Sequence, residues 1–167
     1  PMATPGPDPT KVPTGLYASM QQIKQSVPNP TSKNIELGIT KCVRSVADNS
    51  SVLYLAGYAY INESKIDAAS MEYRLVIVSS NGAALMAEVN RVDGISGVDH
   101  GDTKCSNPSG ADFEVYLNVE NFPDDVYYLG ILFNKNGKFV LSQFPNKLSF
   151  SVVNHRVLTD VPTVSGN

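Results

Sequence analysis

The chain is poor in the side chains on which most metal and redox sites depend. Its 167 residues contain no tryptophan, two histidines and two cysteines. Two cysteines cannot complete a zinc site by themselves, so they either form one disulfide or remain free thiols. A bridge between Cys42 and Cys105, which are 63 positions apart, would contribute roughly 4 kcal/mol in the chain-entropy treatment. The redox compartment decides between bridge and free thiols, and the sequence does not identify it.

A recognisable set of catalytic residues is also lacking. His100 has carboxylates near it in sequence, Asp93, Asp99 and Asp102, and such a group could perform acid–base chemistry. The other histidine, His155, is close to the C-terminus, and no serine or cysteine has the strand–turn–helix context of an activated nucleophile. We therefore expect a protein that is not an enzyme.

Blocks of like charge and long hydrophobic runs are absent too. The net charge is −3, charged residues make up 17%, and lysines and arginines are scattered singly, whereas nucleic-acid binding needs a basic stripe. No apolar stretch approaches the ~20 residues of a membrane span, and the N-terminus has no signal-like segment. Hydrophobic residues make up 42%, enough for a folded core. We expect a folded domain whose partner is a glycan or another protein.

Two segments without a strand pattern open the chain. Residues 1–13 contain five prolines, which favour extended geometry and predict an arm or linker. Residues 14–30 are predicted to form a short amphipathic helix and a Pro-rich connection. The helix prediction depends on apolar residues at steps of three and four: Tyr17, Met20, Ile23 and Val27. Such a short helix is unstable alone, so its apolar stripe should pack on the rest of the protein or on a partner.

Seven or eight short β-prone runs, separated by Gly, Asn, Asp and Pro, follow within residues 31–153. Two Asn-Gly pairs, at 81–82 and 136–137, are typical of tight hairpins. Gly57 inside one run indicates a bulge or the close approach of another backbone. Residues 154–167 are predicted to be a polar tail. The pattern predicts an all-β, immunoglobulin-like or jelly-roll-like antiparallel β-sandwich. Its predicted core contains Leu37, Ile39, Leu55, Leu75, Ile77, Phe113, Val115, Leu117, Leu129, Ile131 and Phe133.

A long connection interrupts the strands at residues 90–111, which are mostly Gly, Asp, Ser, Asn and Pro. Loops of this length inside a compact domain often carry function. Asp93, Asp99 and Asp102 could together bind Ca²⁺ through carboxylate oxygens. Their spacing matches no EF-hand, and Asp-Gly pairs are ordinary turn residues. His100 and these aspartates are the candidate ligand-binding residues of the loop.

Tyrosines are concentrated in the predicted strands. An exposed ring beside Asp, Asn or Arg is typical of a sugar site, and strand alternation points Tyr116 outward as the best candidate. Tyrosine is also a good strand residue whose ring packs and whose hydroxyl reaches water, so a purely structural role is the alternative. The lack of tryptophan, the favoured sugar platform, weakens the sugar interpretation.

Part of the strand region resembles a known module. The match covers about residues 55–150 and lies in Gly57-Tyr58-Ala59-Tyr60-Ile61, Tyr73-Arg74-Leu75-Val76-Ile77, Arg91-Val92-Asp93, Phe113, Tyr128-Leu129-Gly130-Ile131 and Asn136-Gly137. These runs resemble an immunoglobulin-like β-sandwich accessory module of bacterial surface-polymer and glycan-associated proteins. That module usually has Gly-Phe where this chain has Ala111-Asp112-Phe113. The resemblance implies an accessory fold and transfers no binding residue.

These observations favour a non-catalytic binding module for carbohydrate, at a cell surface or attached to a glycan-handling protein, and so an extracellular or surface location. The rival hypothesis is a structural protein, such as an adhesin, virion or appendage domain. It would contact other proteins, or further copies of itself, through the N-terminal arm. No bound cofactor is expected, with Ca²⁺ on the long loop as the exception to test.

Overall fold

The computed structural model describes residues 17–23, 34–45, 51–135, 138–143 and 148–158. Over these residues the regular structure is almost entirely β-strand, with one short 3₁₀ turn at Pro108–Ala111. The strands are β1 Met20–Gln22, β2 Ile35–Ser45, β3 Val52–Ile61, β4 Glu72–Ser79, β5 Ala84–Ala87, β6 Asn90–Arg91, β7 Asp112–Asn118, β8 Asp125–Lys135, β9 Lys138–Gln143, β10 Ser149–Val153 and β11 Arg156–Val157. The described part of the chain has no helix long and apolar enough to cross a membrane.

The strands form two antiparallel sheets. The large sheet has the order β1-β5-β4-β8-β10-β11, and the small sheet has the order β2-β3-β7-β6. The length of β8 lets its first part pair with β10 and its last part with β9. The predicted all-β antiparallel architecture is therefore confirmed.

One apolar core lies between the sheets. In β7, for example, Phe113, Val115 and Leu117 point into it, because successive side chains of a strand point to opposite faces. The predicted core residues named above all belong to this cluster. Burying such side chains is the main stabilising contribution in a domain of this kind, about 1.5–3 kcal/mol for each one.

The other face of the small sheet is buried as well. Every residue of β3 is buried, including Tyr54, Tyr58 and Tyr60, which alternate with the core residues. Residues that follow β6 pack on this face: Ile95 lies beside Tyr54, and Val98 beside Tyr58 and Tyr60. The long connection thus forms a third layer over part of the sandwich.

The predicted N-terminal helix is wrong for the residues that the structure describes. Met20–Gln22 is a strand that pairs with β5. Ala18 donates from its backbone nitrogen to the Tyr116 carbonyl oxygen at 2.9 Å, and Ile23 donates in the same way to Ala84 at 2.9 Å. Exposed strand edges supply hydrogen-bond partners that outweigh weak helix propensity in so short a segment. Residues 1–16 and 24–33, with the predicted arm and the rest of the helix, lie outside the described residues.

The C-terminal boundary also differs from the prediction. Residues 154–158 were expected to belong to a polar tail, but Arg156–Val157 pairs with β10. Asn154 and His155 make the connecting turn with φ of 51° and 66°, a backbone region that asparagine and histidine tolerate better than most residues. Val157 is buried in the main core, so this end of the sandwich is closed by a strand.

Two turn and bulge predictions are confirmed. Gly82 has a φ of 95° and completes the hairpin between β4 and β5. Gly57 faces β2 where that strand shifts register between Ile39 and Lys41. A Cβ at position 57 would lie 2.1 Å from the Gly38 carbonyl oxygen, so only glycine allows the two backbones to approach. The second Asn-Gly pair, at 136–137, lies outside the described residues.

Candidate ligand-binding cleft

The long connection is tied down by its polar side chains. Its start pairs with β7 as strand β6, and its end forms the 3₁₀ turn. Closer to its end, an isolated bridge joins Asp67 and Ser106. The Asn62 side chain accepts from the backbone nitrogens of Lys104 and Cys105 at 2.7 and 3.2 Å. These bonds add to the few apolar contacts of the connection, such as those of Ile95 and Val98.

His100 is the main buried anchor of this connection. Its Nε2 lies 2.9 Å from Oδ1 of Asp112, and the two side chains are 4% and 0% exposed. The other oxygen of Asp112 accepts from the Ser96 nitrogen at 3.0 Å and from its hydroxyl at 2.6 Å. The imidazole also packs edge-on against the rings of Tyr58 and Tyr60, with centroids 4.8 and 5.3 Å away. His100, a candidate ligand-binding residue from the sequence, thus lies buried among Asp112, Tyr58 and Tyr60.

The three aspartates of the loop do not converge. Asp93, Asp99 and Asp102 are exposed, and one oxygen of Asp99 accepts from the Gly101 nitrogen at 2.9 Å, as in an ordinary Asx turn. Within the described ranges, no group of three or more His, Cys, Asp or Glu side chains is placed to hold a metal ion. The calcium site, which the sequence left open as an alternative to an ordinary solvated loop, is therefore not formed by these three residues.

The two cysteines are free thiols in separate environments. Cys105 is buried with Tyr58, Tyr60, Ala68 and Ala111 on the outer face of the small sheet, whereas Cys42 packs against the main core. Burial raises the pKa of the Cys42 thiol to about 12. The disulfide, one of the two alternatives that the sequence left open, is not formed.

Tyr116 was predicted to be exposed, and this is wrong, because its side chain is only 1% exposed. Alternation correctly placed it away from the core, but Tyr17 and Ile95 pack against the cluster to which its ring belongs. It nevertheless lines a cleft of about 260 Å³ at the edge of the sandwich. The cleft lies where residues 17–19 and 88–90 cross between the sheets, beside residues 114–116 of β7. Its polar side chains come from Tyr17, Ser19, Glu88, Asn90, Glu114 and Tyr116.

Glu114 is the best-defined polar group of the cleft. It is 8% exposed, and its Oε2 accepts a hydrogen bond from the Tyr54 hydroxyl at 2.8 Å. Burial and this carboxylate raise the pKa of Tyr54, so the tyrosine remains a neutral donor at physiological pH. The Tyr54 and Tyr116 rings lie 4.8 Å apart. The carboxylate is thus held in one orientation and keeps acceptor capacity for a ligand hydroxyl.

The rim of the cleft is polar and mostly exposed. Glu88 lies there, and its Oε1 is 3.6 Å from Nη2 of Arg74 in an ion pair whose side chains are 66% and 41% exposed. Ser19 and Asn90 are exposed. Exposed ion pairs are weak, so the Glu88 carboxylate is free to reorient towards a ligand. No lysine or arginine is among the described residues that line the cleft.

The sequence pattern alone did not identify Glu114, Glu88 or Asn90 as candidates. The alternation of β7 did place Glu114 outward beside Tyr116, and this was the available signal. Glu88 and Asn90 become neighbours of β7 only through the crossing of residues 88–90 between the sheets. Comparison of the chain with protein-family models, curated proteins and solved structures gives no match.

Proposed function

We propose that this chain is a non-catalytic carbohydrate-binding module whose ligand occupies the cleft of residues 17–19, 88–90 and 114–116. The observation that carries the proposal is the buried Glu114 carboxylate, which the Tyr54 hydroxyl orients beside the Tyr116 ring. Binding sites generally combine an apolar wall with a few fixed polar groups. An immunoglobulin-like accessory fold at a cell surface, which the sequence resemblance implies, belongs to the same proposal.

The lining has the chemistry that hydroxyl groups require. Sugar hydroxyls donate to carboxylate and amide oxygens, which Glu88, Asn90 and Glu114 supply, and they accept from donors such as the Ser19 hydroxyl. The Tyr17 ring supplies an apolar surface for sugar C–H groups. A hydrogen bond to a charged acceptor contributes about 1.5–3 kcal/mol when it is well made.

The size and charge of the cleft restrict which ligands it can bind. The cleft, at about 260 Å³, is just below the roughly 300–1,000 Å³ of sites for drug-sized molecules. It fits one sugar unit, such as the end of a glycan chain. Two carboxylates line it without a cationic side chain among the described lining residues, and this disfavours phosphate or uronate groups. We expect neutral sugars to bind more tightly than acidic ones.

The test begins with a glycan array probed with the full folded chain. The affinity for a glycan that binds on the array is then measured by calorimetry, with the wild-type protein and with Glu114→Gln. This substitution keeps the size of the side chain and an acceptor for the Tyr54 hydroxyl but removes the charge. We expect affinity to fall at least ~10-fold, equivalent to about 1.4 kcal/mol. Glu120→Gln is the matched control, because Glu120 is exposed and does not line the cleft.

Two outcomes would remove the proposal. One is the absence of binding to neutral, amino and acidic glycans, measured with a sample whose circular dichroism shows folded β-structure. The other is a bound glycan whose affinity is the same for the wild type, Glu114→Gln and Glu120→Gln. In the second case the chain binds sugar elsewhere, and the cleft is not the site.

A further inference from the structure

Strand β7 carries two buried carboxylates on the outer face of the small sheet. Asp112 is fully buried, and Glu114 is 8% exposed. Asp112 accepts from the nitrogen and the hydroxyl of Ser96, and it also lies 2.9 Å from the imidazole of His100. Glu114 accepts one hydrogen bond within the described part of the chain, from the Tyr54 hydroxyl. A buried carboxylate is costly unless hydrogen bonds and a positive charge compensate it, so the protein satisfies Asp112 more fully than Glu114.

The neighbours of Glu114 in the sheet supply no positive charge. Ala56 is opposite it on β3, and Asn90 is opposite it on β6. Lys41, on the far side of Ala56 in β2, is exposed. Within the described ranges, no lysine, arginine or histidine forms an ion pair with Glu114. A carboxylate that lacks a positive partner therefore lines the cleft.

We propose that the ligand supplies this charge as a primary ammonium group, so that the cleft recognises an amino sugar with a free amine. The inference rests on the proposed function and narrows its ligand. An ammonium group donates up to three hydrogen bonds, and a charge-assisted hydrogen bond is about twice as strong as a neutral one. Glu88 at the rim adds a second carboxylate of the same sign, which favours a cation further.

The rest of the lining fits a sugar better than another kind of amine. The rings of Tyr17 and Tyr116 line the same cleft, and an aromatic ring attracts a cation and packs against sugar C–H groups. Ser19 and Asn90 offer a hydroxyl and an amide to the hydroxyl groups beside the amine. A lysine side chain has no such hydroxyl groups, so it would leave these partners unused.

Three trisaccharides with the same β-1,4 linkage isolate the charge, because they differ only at carbon 2 of each sugar. The trimers of glucosamine, N-acetylglucosamine and glucose carry an ammonium, an acetamido and a hydroxyl group there. Calorimetry with the full chain at about pH 6, where primary amines are protonated, measures each affinity. We expect the glucosamine trimer to bind at least ~10-fold more tightly than the other two. A lysine-containing tripeptide with blocked ends, which offers an amine without a sugar, should bind at least ~10-fold more weakly than the glucosamine trimer.

Glu114→Gln removes the charge on which the inference depends. Its affinity should fall about 10-fold more for the glucosamine trimer than for the glucose trimer, so that the preference is lost. Glu120→Gln, outside the cleft, should keep the preference. A preference that is equal in the wild type and Glu114→Gln would overturn the inference, and so would a tripeptide that binds as tightly as the glucosamine trimer. The comparison of ligands on the wild type decides even if Glu114→Gln does not fold.

Failure of this inference is distinguishable from failure of the proposed function. A glucose or N-acetylglucosamine trimer that binds at least as tightly as the glucosamine trimer overturns the inference alone, because the chain would still bind sugar. If none of the three trimers binds, the inference is overturned, and the glycan array decides the proposed function separately.

Discussion

The Arg91 side chain gives the sharpest stability prediction, because one guanidinium joins three parts of the chain. Nη1 donates to the Met71 carbonyl oxygen at 2.8 Å, and Nη2 donates to those of Ala68 and Gly110 at 2.8 and 2.9 Å. The group also lies over the Tyr73 ring, 4.3 Å from its centroid. The start of the long connection, its end and the segment before β4 are thereby held together.

The magnitude follows from the bonds that a substitution removes. Arg91→Met keeps the apolar stem but leaves three partly buried carbonyl oxygens without this donor. Hydrogen bonds to a charged group contribute about 1.5–3 kcal/mol each but are not additive. We expect a loss of about 3–5 kcal/mol, a large share of the roughly 5–15 kcal/mol that stabilises a typical domain. Arg91→Lys should lose about 2 kcal/mol, since an ammonium group cannot reproduce the planar fork.

Urea denaturation followed by tyrosine fluorescence measures the effect. With a slope near 2 kcal/mol per molar urea, the Arg91→Met midpoint should fall by about 1.5–2.5 M. Arg74→Met is the matched control, because Arg74 is partly exposed and forms an ion pair with the exposed Glu88, and it should lose less than about 1 kcal/mol. Equal midpoints for the two variants would refute the reasoning.

Four further predictions test other contacts. Gly57→Ala places a methyl group 2.1 Å from the Gly38 carbonyl oxygen and should destabilise by about 3 kcal/mol, measured by thermal denaturation; an unchanged melting temperature would contradict the close approach. His100→Leu and Asp112→Leu should each destabilise by about 3 kcal/mol, and the double variant by less than the sum, because His100→Leu leaves Oδ1 of Asp112 without its imidazole partner and Asp112→Leu leaves the imidazole without its carboxylate; additive losses would show that the pair is not coupled. Because the pKa of Cys42 is raised to about 12, iodoacetamide at pH 8 should label it about 1,000-fold more slowly in the folded than in the denatured chain, as peptide mass mapping would detect. As pH rises, the Cys42 thiol loses its proton in the unfolded chain before it does so in the folded chain. The free energy of unfolding should therefore fall between about pH 9 and about pH 12, by up to about 1.4 kcal/mol per pH unit. Cys42→Ala should reduce that slope.

The core was predictable because strand geometry has a fixed period. Phe113, Val115 and Leu117 alternate with polar or tyrosine residues, and this alternation is sufficient to assign them to one face. Gly57 was informative for a related reason, since a glycine inside a strand indicates a position with no space for a side chain. Both inferences use only neighbouring residues of the sequence.

The cleft was not predictable in the same way. Alternation places Tyr116 on the outer face, but it does not say whether another segment covers that face. Whether the outer face is covered depends on contacts between residues that are not neighbours in sequence. Examples are the contact of His100 with Asp112 and that of Ala18 with Tyr116. Similarly, the apolar spacing of Tyr17, Met20 and Ile23 fits a helix, yet in the structure these side chains enter three different clusters.

The pairing of β3 with β7 delays completion of the small sheet during synthesis. Its partner β2 precedes it directly, but its other partner, β7, comes much later, so that Tyr54 pairs with Tyr116. Pairings between distant segments make folding slow, on the scale of milliseconds to seconds. Until β7 leaves the ribosome, one edge of β3 has no native partner, and its Val-Leu-Tyr-Leu run resembles the segments that start intermolecular β-association. Slower production at lower temperature should therefore raise the yield of folded protein by reducing encounters between such unfinished chains.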